Sequence, residues 1–209
     1  MKKIMFNDKY GLTQAVLEGR KMQTRRIIDI ENCDYDAIID AKESNGKTHF
    51  TFIYDGWYIP RYPTYQIGEE VAVAQSYKDV ENDLHLPYDF FYYVITSLDY
   101  DTRLDVELNE PGWSNKMFVK ADLMPHRIKI TNVRVERLQD ISEEDCLKEG
   151  ITHGEFVNTW DEYYFEHGCN YITAKTPCEA YKKLINRISG KGTWEKNPYV
   201  FVYDFEFIM

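Results

Sequence analysis

The sequence lacks any apolar run approaching the roughly 20 residues that span a bilayer, so no helical membrane segment is expected. Lys2 and Lys3 in "MKKIMFNDKYG" are not followed by an apolar stretch, which argues against a signal peptide. Cysteine is scarce, and Cys33, Cys146, Cys169 and Cys178 form no C-x-x-C pair. That spacing points to reduced thiols in a cytoplasmic setting rather than a disulfide or zinc framework. The five histidines, His49, His85, His126, His153 and His167, show no H-x-x-x-H spacing, and "HGC" is too short a pattern for a metal site. With no G-x-S-x-G elbow, phosphate loop or dinucleotide fingerprint either, no metal and no cofactor is expected. Positive charge is also in deficit: 25 Lys+Arg against 35 Asp+Glu leave a net charge of −10. Phosphate neutralisation supplies most non-specific nucleic-acid affinity, so this chain is not built to coat DNA or RNA. A local basic site for a nucleotide or short strand remains compatible with that balance.

What is present fits a globular α+β chain. Hydrophobic residues make up 44% and charged residues 29%, no repeat or linker divides the sequence, and a single domain over 1–209 is expected. Asn7, an apolar stripe of Leu12, Ala15 and Val16, and Gly19 predict a helix over 8–18. Alternation predicts strands at "THFTFIY" (48–54), at "VAVAQ" after a turn at Gly68, and at "PYVFVYDFEFIM". In "HRIKITNVRVERL" the apolar phase moves from Ile128 and Ile130 to Val133 and Val135, which predicts a bulge or bend at Asn132. Ser142 with Asp145 opens a short helix that Gly150 closes, leaving Glu149 at its unfavourable C-terminal end. Thr176, Pro177, Glu179 and Gly190 bracket a second helix, and Phe156, Trp160, Tyr163 and Tyr164 predict an amphipathic helix over 155–166. "FFYYVIT" reads as a strand, and the polar run from Asp99 to Glu110 as a solvated insertion.

One stretch stands apart. "EGRKMQTRR" (18–26) gathers Arg20, Lys21, Arg25 and Arg26 around Thr24, with no acid after Glu18. A threonine hydroxyl attacks only when a base takes its proton, and a lysine serves once burial or nearby cations depress its pKa. A basic turn that caps the preceding helix and is otherwise solvated explains the same residues.

Together, "GRKMQTRR" after an N-terminal helix, "YQIGEEVAV", "ITNVRVERLQDISEEDCLKEGI" and "NPYVFVYDFEF" resemble, in this order, the motifs of ASCH domains in the PUA-like superfamily. The resemblance covers a little under half the chain and extends to longer bacterial and phage-derived members through "GTWEKNPYV". It implies a small, mostly antiparallel β-barrel with surrounding helices, and large insertions near 31–64, 76–118 and 152–196. It implies a nucleoside, nucleotide or RNA ligand in a cleft lined by Lys21 and Thr24, with Arg20, Arg25 and Arg26 contributing. Small members resemble amidohydrolases of acetylated cytidine, whose Lys-Thr-Glu catalytic set would fall on Lys21, Thr24 and Glu149. One departure is "AVAQ" (72–75), where longer relatives carry Trp-Val-Arg-Glu. Trp57 and Trp113 are candidates for base stacking. A third reading is a phage-derived interaction protein that meets a partner through its insertions.

Overall fold

The computed structural model describes residues 1–29, 37–44, 47–82, 111–155, 161–168 and 170–208. Strand β1 (Lys2–Ile4) is followed by a 3-10 turn (Asp8–Tyr10), helix α1 (Leu12–Leu17) and strand β2 (Gln23–Ile27). Then come β3 (Ala37–Ser44), β4 (Lys47–Tyr54), β5 (Trp57–Arg61), β6 (Glu70–Val73) and α2 (Tyr77–Glu81). The second half holds β7 (Arg127–Arg137), α3 (Glu143–Lys148), β8 (Thr152–Glu155), β9 (Asp161–His167) and β10 (Asn170–Ala174). It ends with α4 (Pro177–Ile188), α5 (Thr193–Lys196) and β11 (Tyr199–Ile208). The chain is therefore α+β, and no sheet among the described residues closes into a barrel. No described helix is long and apolar enough to cross a membrane. Both "FFYYVIT" and the acidic run lie outside the described residues.

The chain divides into two compact units. The first comprises Met1–Phe6, Glu70–Ile128 and Phe207–Met209. There β1 runs parallel to β6, and the Val73 amide donates to the His126 carbonyl at 2.9 Å. The Ser76–Asp79 capping box starts α2, which seats Tyr77 and Val80 against Ala72, Ala74, Val119 and Met124. The run "AVAQ" is thus core-forming: Ala72 and Ala74 supply the small apolar surface this cluster closes on, where charged side chains would be unsolvated. Trp113 packs partly buried against the same cluster.

The second unit comprises Asn7–Glu69 and Lys129–Glu206. In it β11 lies between β7 and antiparallel β2, with Tyr203 opposite Thr24 and Asp204 opposite Gln23. The expected phase change in β7 is present, because Ile128, Ile130 and Val133 are buried while Thr131 and Asn132 are exposed. Sheet β3–β4–β5 turns between its last two strands at Asp55–Gly56, both with positive φ. Its β4 faces the aromatic row of β11: Phe52 meets Tyr199 at 5.5 Å and Phe50 meets Phe201 at 5.8 Å between ring centroids. These edge-on and tilted contacts form part of the core of this unit.

Two predicted helices are corrected. The helix over 8–18 is interrupted at Gly11 (φ 63°), where a Cβ would collide with the Glu166 carboxylate. The residues before it form the 3-10 turn, and α1 starts at Leu12. The helix over 155–166 is replaced by β8 and β9; Phe156 and Trp160 lie outside the described residues. Apolar spacing in "DEYYFEH" fits a helix, but aromatic residues favour a pleated surface and β8 and β10 pair with β9 on both sides. Tyr164 and Tyr171 lock that pairing edge to face at 5.0 Å.

Helix α3 forms as expected. The Asp145 amide donates to Ser142 Oγ at 3.1 Å, and Gly150 (φ 99°) ends the helix. A Cβ on Gly150 would stand 3.3 Å from Leu12 Cδ2 and 3.6 Å from Lys21 Cβ, which draws the helix end close to the basic stretch. Gly150→Ala is expected to cost about 1–3 kcal/mol in urea unfolding, because backbone strain and crowding add. Gly19→Ala, at a φ of 71° but in open space, should cost less.

Candidate functional site

The basic stretch leaves its turn early and runs into a strand, as "RRIIDI" leads one to expect, but that strand starts before Arg25. The turn ends by Arg20, and β2 begins at Gln23, so the charged residues are sorted by strand alternation. Gln23 and Arg25 share one face with Asp204 of β11, while Thr24 and Arg26 share the other with Tyr203 and Phe201. On the first face α3 supplies Asp145 and Glu149, and β7 supplies Arg134 and Glu136.

Lys21 is 98% buried, with only 2% of its surface exposed. Its Nζ donates to Glu149 Oε2 at 2.6 Å, to the Glu149 carbonyl at 2.8 Å and to the Gln23 carbonyl at 2.8 Å. An ammonium has three donors, and these three acceptors match them. One of them is the α3 end carbonyl, so Lys21 also caps the helix, beside a Met22 amide that donates to the Lys148 carbonyl at 2.9 Å. Burial pushes the Lys21 ammonium below the ordinary lysine value, and Glu149 pulls the other way. The C-terminal position of Glu149 ceases to be costly once this carboxylate faces Lys21 and Arg25.

Arg25 is buried beside this pair. Its Nε and Nη2 donate to Glu136 Oε1 at 3.0 and 2.6 Å, its Nη1 to Glu149 Oε1 at 3.0 Å, and its Nη2 to Asp145 Oδ2 at 3.2 Å. Burial opposes the charge, but Glu149, Tyr181 and Glu136 outweigh it and raise the guanidinium above its usual value. Tyr181 of α4 lies over Arg25, 6.0 Å from ring centroid to guanidinium carbon. Burial, then Glu149, drives the Tyr181 hydroxyl well above the usual phenol range, so it stays protonated. Arg134 joins the remaining acids, reaching Asp145 at 2.7 Å, Asp204 at 2.7 Å and Glu136 at 3.1 Å. Gln23 bridges Arg25, Asp145 and Asp204 through both ends of its amide.

Thus Lys21 and Glu149 meet, as the Lys-Thr-Glu set requires, while Thr24 sits on the opposite face of β2 and is not among the acceptors of Lys21. A lysine with three engaged N–H groups has no lone pair with which to deprotonate a hydroxyl. Arg25 is a buried member of the ion cluster rather than a cleft-lining group. Arg20 and Arg26 are exposed, and Arg20 is held by Glu18 at 2.6 Å and Thr152 at 3.2 Å. The sequence reading missed Gln23, Arg134, Glu136, Asp145 and Asp204. Their signal was parity: Asn132, Arg134 and Glu136 alternate along β7 as Gln23 and Arg25 do along β2.

No protein-family model, no curated protein and no solved structure matches this chain.

Removing one member of a buried pair strands the other charge. Glu149→Gln is expected to cost about 3–5 kcal/mol in urea unfolding. The double variant Lys21→Met/Glu149→Gln should recover part of that loss, giving a measurable coupling energy in a double-mutant cycle. Arg134→Met should cost less, because its side chain is 32% exposed.

Proposed function

We propose that the chain is a binding module for a nucleoside, nucleotide or short RNA element, built as an ASCH-like domain of the PUA-like superfamily. The observation that carries this reading is the hairpin of β4 and β5. Trp57 is 73% exposed at its tip, with Tyr54, Tyr58 and Tyr62 also exposed nearby in sequence. An unstacked base has two flat apolar faces, and rigid aromatic rings held on a strand pair receive such faces at low entropic cost. Of the two tryptophans considered for stacking, Trp113 is committed to a core and Trp57 is presented to solvent. Arg20 and Arg26, the exposed members of the basic stretch, are suited to phosphate or base-edge contacts through their planar forks. The net charge of −10 favours a small ligand or short strand over a long duplex.

In this reading Lys21, Arg25 and Glu149 support the domain rather than react. Anisotropy titration of labelled single-stranded RNA hexamers at low salt tests it, with cytidine, uridine and purine nucleotides as competitors. Trp57→Ala should weaken binding about tenfold, as expected for loss of one stacked base. Arg26→Ala should weaken it and flatten its salt dependence. Absence of binding to RNA and to every nucleotide, or indifference to Trp57→Ala, would remove the proposal. Incubation with acetylated cytidine separates the alternative: product formed by the wild type and lost in Thr24→Ala would establish the amidohydrolase instead.

A further inference from the structure

Cys146 and Cys178 are separated by 32 positions in sequence, yet their sulfurs lie 3.6 Å apart where α3 meets α4. The Cys146 S–H donates to Cys178 Sγ, and the Cys178 S–H is directed at the Ile141 carbonyl, 3.9 Å away. Both are free thiols; Cys146 is fully buried and Cys178 only partly so. A disulfide needs a sulfur separation of about 2 Å, so closure asks for an approach of little more than 1.5 Å. We infer that this pair is a modification site: a vicinal dithiol that a peroxide-class oxidant converts to an intramolecular disulfide tethering α3 to α4.

Accessibility sets the order of events. The Cys178 sulfur attacks one peroxide oxygen, the O–O bond breaks, and the sulfur becomes a sulfenic acid while the departing hydroxide takes up the thiol proton as water. The Cys146 sulfur then attacks Cys178 sulfur, its own proton leaves with the displaced hydroxide, and a second water forms. Two thiols supply the two electrons that reduce one peroxide. Burial, and then Cys178, hold the Cys146 thiol far above its usual titration range, so the more accessible Cys178 is the thiol that meets the oxidant first. Cys146 lies between Asp145 and Glu149 on the helix that grips Arg25 and Lys21. The tether therefore fastens the cluster's acidic helix to the helix that carries Tyr181. This inference does not depend on the binding reading, since its readout is thiol chemistry.

The test uses the full chain, treated natively with stoichiometric hydrogen peroxide and quenched by alkylation, followed by non-reducing peptide mapping. The expected result is a linked Cys146–Cys178 peptide pair, lighter by two hydrogens and restored by dithiothreitol, with the thermal midpoint raised by several degrees. In Cys178→Ser the linked pair should vanish and Cys146 should resist alkylation while the protein stays folded. Mapping the wild type locates the bond even if the variant misfolds. No Cys146–Cys178 linkage in the native protein, or linkage only after denaturation, overturns the inference. So does alkylation of native Cys146 as fast as Cys178.

Discussion

Taking a lysine ammonium out of water costs several kcal/mol unless every one of its protons finds an acceptor and its charge finds a partner. Lys21 satisfies both conditions with one residue and one neighbour: Glu149 supplies a carboxylate oxygen and a carbonyl, and Gln23 supplies a second carbonyl. Much of the second unit's layout follows from this. The lead-in to β2 must run beside the end of α3, which the Met22–Lys148 backbone bond secures. Gly150, in a left-handed conformation, then turns the chain away without a side chain in the gap.

From that anchor the charges propagate along one sheet face. Three cations, Lys21, Arg25 and Arg134, stand among four carboxylates, Glu136, Asp145, Glu149 and Asp204. The acids are taken up by guanidinium and ammonium groups, so the cluster is close to neutral. Such a network is better suited to fixing the register of β2, β7 and β11 against α3 than to turning over a substrate. The hairpin around Trp57 and the Arg20 and Arg26 side chains lie at the solvent surface instead.

Much of the element pattern was readable because its causes are local. The strand pattern over 48–54 became β4, the caps at Thr176 and Ser142 started α4 and α3, and the phase shift at Asn132 appeared in β7. The same locality explains the failures. Spacing in "DEYYFEH" cannot reveal that strands wait on both sides, and a helix pattern over 8–18 cannot reveal the Glu166 carboxylate beside Gly11. At the candidate site the residue types were legible but their use was not. Lys21, Arg25 and Glu149 were singled out, whereas Glu136, which shares the Arg25 charge with Asp145, and the flanking Gln23, Arg134 and Asp204 were not.

By itself, then, the sequence determined the α+β class, the positions of caps and turns, and the fact that something unusual happens at residues 18–26. Those properties depend on neighbours within a turn of helix or a few residues of strand. Tertiary structure alone decided that Lys21 faces Glu149 across 128 positions, that Thr24 points to the other side of β2, and that Cys146 meets Cys178. The reason is physical: a buried charge or thiol is defined by what surrounds it, and those surroundings come from strands and helices far apart in the chain.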